Sequence, residues 1–471
     1  MAVAHQLSAN GVRVTVLERN NYVGGLAATF EHRGFKFDLG GHRWFTKNQE
    51  LNDWFRNLMA GELVQVKRIS RIYHDGQYFN YPIHLKEIIS KSHPRTIIAM
   101  AASFLWSSLK QAAVDRPIVT MEQAYTAQFG ASLYRMFFQR YSEKVWGRPC
   151  TELSADWVAQ RSRGLSIWGL ARDALRGPRN DAVSLVDEFM YPRHGYGRIS
   201  ARMAEDVKAA GNDVLLGCQV VRLLYHRPGE FNVIYASGKG QHKLRADHVV
   251  STIPLGRLVL ILEPGCEPPV AAAARSLVFR DLITVNLILR RPRVSIDTWL
   301  YIQDSEIIFG RMHEPKNWSP AMVADDDHTS LVLECFCSAG DHIWSMSDEA
   351  IGRRCVQDLT DKLKFIEERD VEDMLVIRTR GAYPVYDLQY QNKISLIQTH
   401  LSNRIGLHTV GRGGTFRYNN ADHSIEMGLR LARKLLGEDV DHLTVNLEAE
   451  YQEEIRTRAR RPVRMQSRVG Q

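Results

Sequence analysis

Apolar positions change period within the opening residues. Val3 and Leu7 recur at helical spacing over Ala2 to Ala9, Gly11 closes that segment, and Val12 to Leu17 alternates as a strand does, ending at Glu18. Arg71 to His74 and Gln77 to Pro82 flank Asp75-Gly76, which predicts a hairpin with a two-residue turn. Between residues 85 and 180, Leu, Ile, Phe and Trp recur every three or four positions, predicting a mostly helical insert. Its longest apolar stretch, Ile97 to Leu109, is interrupted by Ser103, Ser107 and Ser108 and falls short of the ~20 residues that span a bilayer, so a buried or interfacial helix is expected. Strand and turn chemistry returns near Tyr191 to Gly197, followed by a helix over Ile199 to Ala210 and short strands around Val214 to Leu224. Ala246 to Ile253 reads as a buried strand. From Leu282 to about Tyr386 strands dominate, at Thr284–Leu289, Leu300–Ile302, Ile307–Gly310 and Leu331–Phe336, predicting a second sheet in a separate substrate-binding domain. A strand from Gly406 then runs into Gly411, and a helix over Asp422 to Ala432 opens with Asp422 as its N-cap acid.

Helix, tight turn, strand and acid make up the second half of a dinucleotide-binding βαβ unit. In such a unit a strand and a glycine loop come before the helix, and an acid about 20 residues past the glycines takes the ribose hydroxyls. Glu18 stands where that acid belongs, while the first strand and loop are not in the sequence. The expectation is a chain short of about 15–25 residues there, through an internal Met taken as start or a truncation. Two glycine pairs follow, Gly24-Gly25 and Gly40-Gly41, the second running into His42. Paired glycines let backbone approach a flat or anionic ligand closely. At the other end, the helix N-terminus after Gly411 offers free N–H groups to an electron-rich ligand edge, so two distant segments are expected to converge on one cofactor.

Composition narrows the class. With 471 residues, 44% apolar and 24% charged, the chain is an ordinary globular protein of two to three domains, which excludes disorder, collagen and coiled coil. The net charge of +8 is concentrated in part between Arg456 and Arg468, a basic tail that reads as a solvated terminus or as a contact for an anionic membrane. Nucleic-acid binding has no other support and is not expected. The six cysteines form no CxxC and no dense spacing, so no metal site or disulfide scaffold is expected, and with no signal-peptide pattern a cytoplasmic location fits.

From Val14 to about Leu436 the chain resembles the FAD-containing superfamily of amine oxidases, protoporphyrinogen oxidase and UDP-galactopyranose mutase. The strand-to-glutamate opening with Gly24 and Gly25 looks like the superfamily's adenosine half-site, and Gly411 to Ser424 resembles the C-terminal flavin motif of the mutases, the eukaryotic type in particular. The mutase exchanges the pyranose and furanose forms of UDP-galactose without net redox change, through attack of reduced flavin N5 on the anomeric carbon. The resemblance implies FAD as cofactor, held by Glu18, Gly24, Gly25, Gly41, Arg412, Asn420, Asp422 and His423. His42 matches a histidine beside the flavin ring, and Arg161 and Arg311 match two arginines that bind the diphosphate; with these the catalytic set is complete. Arginine suits that work because its planar fork makes bidentate bonds to phosphate. Tyr81, Tyr383 and Tyr418 match tyrosines that contact UDP, Trp146 a tryptophan beside the sugar, and Phe137 a ring that stacks on uracil. Three positions depart from the mutase pattern: His84 replaces a glutamine near uracil, Trp318 a substrate-contacting tyrosine, and Ser142 an asparagine near the sugar.

The resulting fold class is α/β: a Rossmann-like FAD-binding domain lacking its first strand, a helical insert and a mixed-sheet substrate domain. The expected boundaries are 1–64, 190–275 and 396–440 for the discontinuous FAD-binding domain, 65–84 and 276–395 for the substrate-binding sheet, 85–189 for the helical domain and 441–471 for the basic tail. The partners implied are a nucleotide-sugar or other small-molecule substrate and a reductant or electron acceptor. Two other readings stay open: an FAD-dependent oxidoreductase of the amine oxidase or protoporphyrinogen oxidase type, and a truncated, flavin-poor, non-catalytic protein.

Overall fold

The computed structural model describes residues 1–81, 85–113, 117–158, 184–185, 188–238, 240–446 and 454–455. Arg161, His84 and the basic tail lie outside the described residues.

The opening helix forms over Ala2–Ala9 and buries Val3 and Leu7 against Val410, Met427, Leu431 and Ala432. Close contact with the helix Ala421–Leu435 depends on Gly428, where a Cβ would come 3.0 Å from that of Ala2. The strand is shorter than its alternation predicts and spans Thr15–Leu17 only. The Asn212 side chain takes the Val14 N–H at 2.8 Å, so a side chain replaces the ladder there. Thr15–Leu17 pairs in parallel with Asp213–Leu215, and Val249–Ser251 pairs in parallel with Leu407–Thr409. These are separate two-stranded sheets, with Val14 and Val250 packed in one apolar cluster with the first helix. The strand expected over Ala246–Ile253 is likewise reduced to Val249–Ser251, because Ala246 ends the preceding strand Gly240–Ala246.

The second sheet has seven strands in the order Val371–Pro384, Phe279–Leu289, Thr329–Cys337, Arg311–His313, Trp299–Ile302, Ser70–His74 and Gln77–Asn80. All neighbours are antiparallel except Trp299–Ile302 with Ser70–His74, so the sheet is mixed. The turn at Asp75-Gly76 has both residues at positive φ, 46° and 78°, as a two-residue hairpin requires. Along Thr329–Cys337 the side chains alternate between two buried faces. Leu331, Leu333, Cys335 and Cys337 pack toward Ile351 and Cys355 of the helix Asp348–Gln357, whereas Phe336 and Val332 join clusters on the other side. Ile307–Gly310 is not a strand. Ile308 donates its N–H to the Asp358 carboxylate at 2.7 Å and the Phe309 carbonyl accepts from Lys144 Nζ at 2.8 Å, so side chains take the bonds a ladder would use.

The insert is helical at Leu85–Lys91, Pro94–Ala113, Met121–Phe129, Ala131–Tyr134 and Arg140–Trp146. A π turn over Arg135–Gln139 interrupts the last helical run, and Gln303 Nε2 donates to the Phe137 carbonyl at 2.6 Å. Together these elements give the expected α/β class, with a cavity where the seven-stranded sheet meets the Gly40–Asn48 segment and the N-terminus of the helix Ala421–Leu435.

Candidate functional site

The strand Phe35–Asp38 carries the chain to the second glycine pair, and Asp38 anchors it there. Its buried carboxylate accepts from Thr29 Oγ1 at 2.5 Å, Tyr191 Oη at 2.6 Å and the Tyr196 N–H at 3.1 Å. Burial raises its pKa to about 6 despite those hydrogen bonds. Gly40 then takes φ +107°, and a Cβ on it would stand 3.2 Å from the Glu334 carboxylate. At Gly41 a Cβ would meet the Trp318 ring at 3.4 Å, and the Gly41 N–H points to Glu334 Oε1 at 3.3 Å. Gly40 is thus held to glycine by its φ and its crowded Cβ position, whereas a Cβ on Gly41 would be in ordinary contact.

His42 comes next. Burial, with Arg412 and Arg311 adding to it, lowers its pKa to about 3, so the imidazole is neutral at any physiological pH. Its Nδ1 is buried with no hydrogen-bond partner. The ring leans on Tyr196 at 5.5 Å, which fixes its direction.

Arg311 opens the short strand Arg311–His313 and stands directly across the ladder from Glu334. The pair closes at 2.7 Å between Nη2 and Oε2, with Glu334 buried. The same Nη2 donates to Tyr383 Oη at 2.6 Å, while Nε has no partner. Burial is the largest single effect and works against the guanidinium charge, but Glu334 together with Tyr383, Tyr141 and Tyr418 outweighs it and holds Arg311 well above its ordinary pKa. Tyr383 and Tyr418 stack with ring centres 5.8 Å apart and planes 17° from parallel. The guanidinium of Arg412 lies 5.4 Å and 5.1 Å from those two rings. Arg412 is itself oriented by donating to the Asn419 and Ala382 carbonyls at 2.8 Å and 2.9 Å.

The helix Ala421–Leu435 brings its N-terminus to the same cavity. Its cap is Asn420 and not Asp422: Asn420 is extended and exchanges a reciprocal capping box with His423. Asp422 sits one step into the first turn, where burial raises its pKa.

The cavity has a volume of about 550 Å³, within the range of small-molecule and cofactor sites. Of the residues singled out from sequence, Gly41, His42, Arg311, Tyr383, Arg412, Tyr418, Asn420, Asp422 and His423 all line it. Trp146 is one ring behind the wall, 5.9 Å from Tyr418 and 6.4 Å from Tyr383. Tyr81 packs on Tyr301, a lining residue, at 5.2 Å. Trp318 and Phe137 are packed elsewhere. Trp318 lies beneath Gly41 with its Nε1 donating to the Thr298 carbonyl at 2.6 Å, and Phe137 is packed in the core against Phe79 at 5.2 Å and His74 at 5.6 Å.

Glu18, Gly24 and Gly25 do not line this cavity. The Glu18 carboxylate turns back to accept the Asn20 N–H at 2.8 Å at the end of the first strand. Gly24 packs on Ser200, and Gly25 faces open space.

Sequence reasoning missed Arg43, Trp299, Tyr301, Glu334, Glu426 and Arg430, all of which line the cavity. Glu334 had a signal, a lone acid in the apolar run Leu331–Cys337. Glu426 follows Asp422 by one helical turn and pairs with Arg430 at 2.6 Å, so helical spacing would have found both. The lining holds five Lys or Arg (Arg43, Lys47, Arg311, Arg412 and Arg430) against three acids (Glu334, Asp422 and Glu426), a balance that suits an anionic ligand. The same residues fit a flavin. At Gly40 a Cβ would be crowded by Glu334 at 3.2 Å, His42 lines the cavity as a neutral imidazole, and the helix N-terminus offers N–H groups to a polar ring edge.

Residues 1–391 match the family model of flavin containing amine oxidoreductases. A curated relative, a probable UDP-galactopyranose mutase of Klebsiella pneumoniae, is 28% identical over 211 residues, 40% of this chain and 53% of the relative. The match therefore spans about half the length of that relative. Among solved structures, a reduced UDP-galactopyranose mutase superposes with a TM-score of 0.80 at 21% identity, covering 95% of each chain. A putative protoporphyrinogen oxidase from Exiguobacterium sp. 255-15 gives 0.69 at 16% identity, covering 92% of this chain and 95% of that one. Wild-type putrescine oxidase bound to putrescine gives 0.61 at 18% identity, covering 93% and 96%. At these identities the structural likeness carries the fold.

Proposed function

This chain belongs to the family of flavin-containing amine oxidoreductases, with FAD as its cofactor, and on that premise we propose that it rearranges a nucleotide-activated sugar in the manner of UDP-galactopyranose mutase. The observation that carries the reading is the Arg311–Tyr383 pair, set between Glu334 and the Tyr418 ring in a cavity with a cationic excess. Gly40, Gly41, His42 and the Asn420–His423 turn would hold FAD, which in its reduced form would supply an electron-rich ring.

The side chains do the remaining work. Arg311 is held in place by Glu334 on one edge and lines the cavity, so the diphosphate meets a charge that is already oriented. Tyr383 receives the Arg311 N–H on its oxygen, which leaves its own proton to donate to the leaving diphosphate. Burial keeps that hydroxyl protonated by pushing its pKa up to about 12. The stacked Tyr383 and Tyr418 rings over Arg412 form an apolar wall that excludes water beside the sugar. His42, being neutral, can accept or donate a hydrogen bond at the flavin face without adding charge. In this reading Arg161 is the second arginine for the diphosphate.

The test is to incubate the dithionite-reduced protein with UDP-galactofuranose and resolve the sugar nucleotides by anion-exchange chromatography. Appearance of UDP-galactopyranose, together with UDP binding that Arg311→Ala weakens, supports the proposal. A protein that ignores UDP and releases peroxide with amines would be an oxidase, and the reading would fall.

A further inference from the structure

On the helical insert, the helix Pro94–Ala113 packs one face inward, with Met100 buried in the core. Ser103 Oγ accepts the Ser132 N–H at 3.1 Å, and a Cβ on Gly130 would lie 2.9 Å from Phe104 Cα, so the face carrying Ser103 and Phe104 is the packed one. The opposite side carries Ile98, Leu105, Trp106 and Leu109, with 69%, 54%, 70% and 66% of their surfaces exposed. They stand at i, i+7, i+8 and i+11, with exposed Ala101 and Ala102 between them, and so form one continuous stripe. A solvated helix face carries charges, yet no ionisable residue occurs between Arg95 and Lys110.

The ends of the stripe say what covers it. Arg95 stands at one end and Lys110 at the other, both exposed, and no Asp or Glu occurs between Glu87 and Asp115. A second copy of the chain laid on this face would bring the same cations against one another. The complementary surface is apolar within and anionic at its edge, which describes a bilayer containing acidic lipids. Ile89, Ile118 and Val119, 46%, 43% and 48% exposed, give further apolar side chains on the same helical insert. Among the described residues no helix is long and apolar enough to cross a membrane, so the contact lies in the interface plane.

We propose that the helix Pro94–Ala113 docks this protein flat on an anionic lipid bilayer, its apolar stripe set among the acyl chains and Arg95 and Lys110 at the head groups. The test is co-sedimentation of the full chain with vesicles of phosphatidylcholine containing about 30% phosphatidylglycerol, and with phosphatidylcholine alone. Binding to the anionic vesicles is expected to exceed that to the neutral ones by at least about tenfold and to weaken at high salt. Leu105→Ser/Trp106→Ser/Leu109→Ser should weaken partitioning by about 100-fold or more. The independent variant Arg95→Gln/Lys110→Gln should weaken it by about 25-fold, near fivefold for each cation, with an unchanged circular dichroism spectrum. Failure of the parent to sediment with anionic vesicles overturns the proposal, as does equal binding by the triple variant. A parent dimer in sedimentation velocity that the triple variant converts to monomer also overturns it, because a second copy would then be the occupant.

Discussion

Replacing Glu334 with Gln removes one charge from the site while keeping its shape. At 2.7 Å and an effective dielectric near 20, the attraction to Arg311 is about 6 kcal/mol before desolvation is counted. Breaking a buried pair by removing one partner costs about 3–5 kcal/mol. The lower end applies here, because Arg311 keeps its bond to Tyr383 Oη and its side chain is 22% exposed. The expected loss is therefore about 3 kcal/mol, read as a lower urea midpoint of tryptophan fluorescence. Ligand binding should move the other way. With the carboxylate gone, a diphosphate becomes the main counter-anion of Arg311, so UDP should bind Glu334→Gln about tenfold more tightly than the parent, close to 1.4 kcal/mol by titration calorimetry. Turnover should fall, because Arg311 loses the contact that orients it. A double-mutant cycle with Arg311→Met isolates the pair. If the double variant is destabilised by the full sum of the single changes, or if the urea midpoint of Glu334→Gln matches the parent's, the two groups are not coupled and the argument fails.

Three further outcomes are expected. Gly40→Ala forces a side chain into φ +107° and to 3.2 Å from the Glu334 carboxylate, so it should cost about 2 kcal/mol and lower the flavin released per mole on denaturation. Arg311→Lys keeps the charge but loses the fork, and the UDP dissociation constant should rise by about 10–100-fold in the same titration. Asp38 has its folded pKa raised to about 6, above the usual value of 3.8, so its contribution to stability is fully present below pH ~4 and is lost as pH rises through ~6, about 3 kcal/mol in all. Unfolding midpoints taken at intervals from pH 4 to 7 should show that slope in the parent and not in Asp38→Asn; parallel profiles would refute it.

The helix at Ala2–Ala9, the hairpin turn at Asp75-Gly76 and the mixed sheet were legible because each is carried by local signals, namely periodicity, paired positive-φ residues and alternation. Two of the three failures share one cause. Val12–Val14, Ile307–Gly310 and the ends of Ala246–Ile253 alternate or run apolar as strands do, yet Asn212, Asp358 and Lys144, distant in the chain, take some of the backbone bonds at the first two. Hydrogen-bond competition by remote side chains has no local signature. For the site, motif residues with glycine or aromatic neighbours were recognisable. Glu334 was overlooked because an acid in an apolar run is visible, but its cross-strand partner depends on register.

By itself the sequence determined that this is an α/β protein with paired glycines, a strand-end Glu18 and a set of arginines and tyrosines suited to an anionic ligand. Those follow from residue type and short-range spacing, which the chain carries into any fold. Only the tertiary structure decided which of them meet. It set Arg311 across from Glu334 and against Tyr383, left Trp318 under Gly41 and Phe137 in the core, and left an apolar stripe of Pro94–Ala113 exposed. These outcomes depend on strand register and on which helix face finds a partner first. Both are fixed by packing between segments tens to hundreds of residues apart, where burying one surface excludes another.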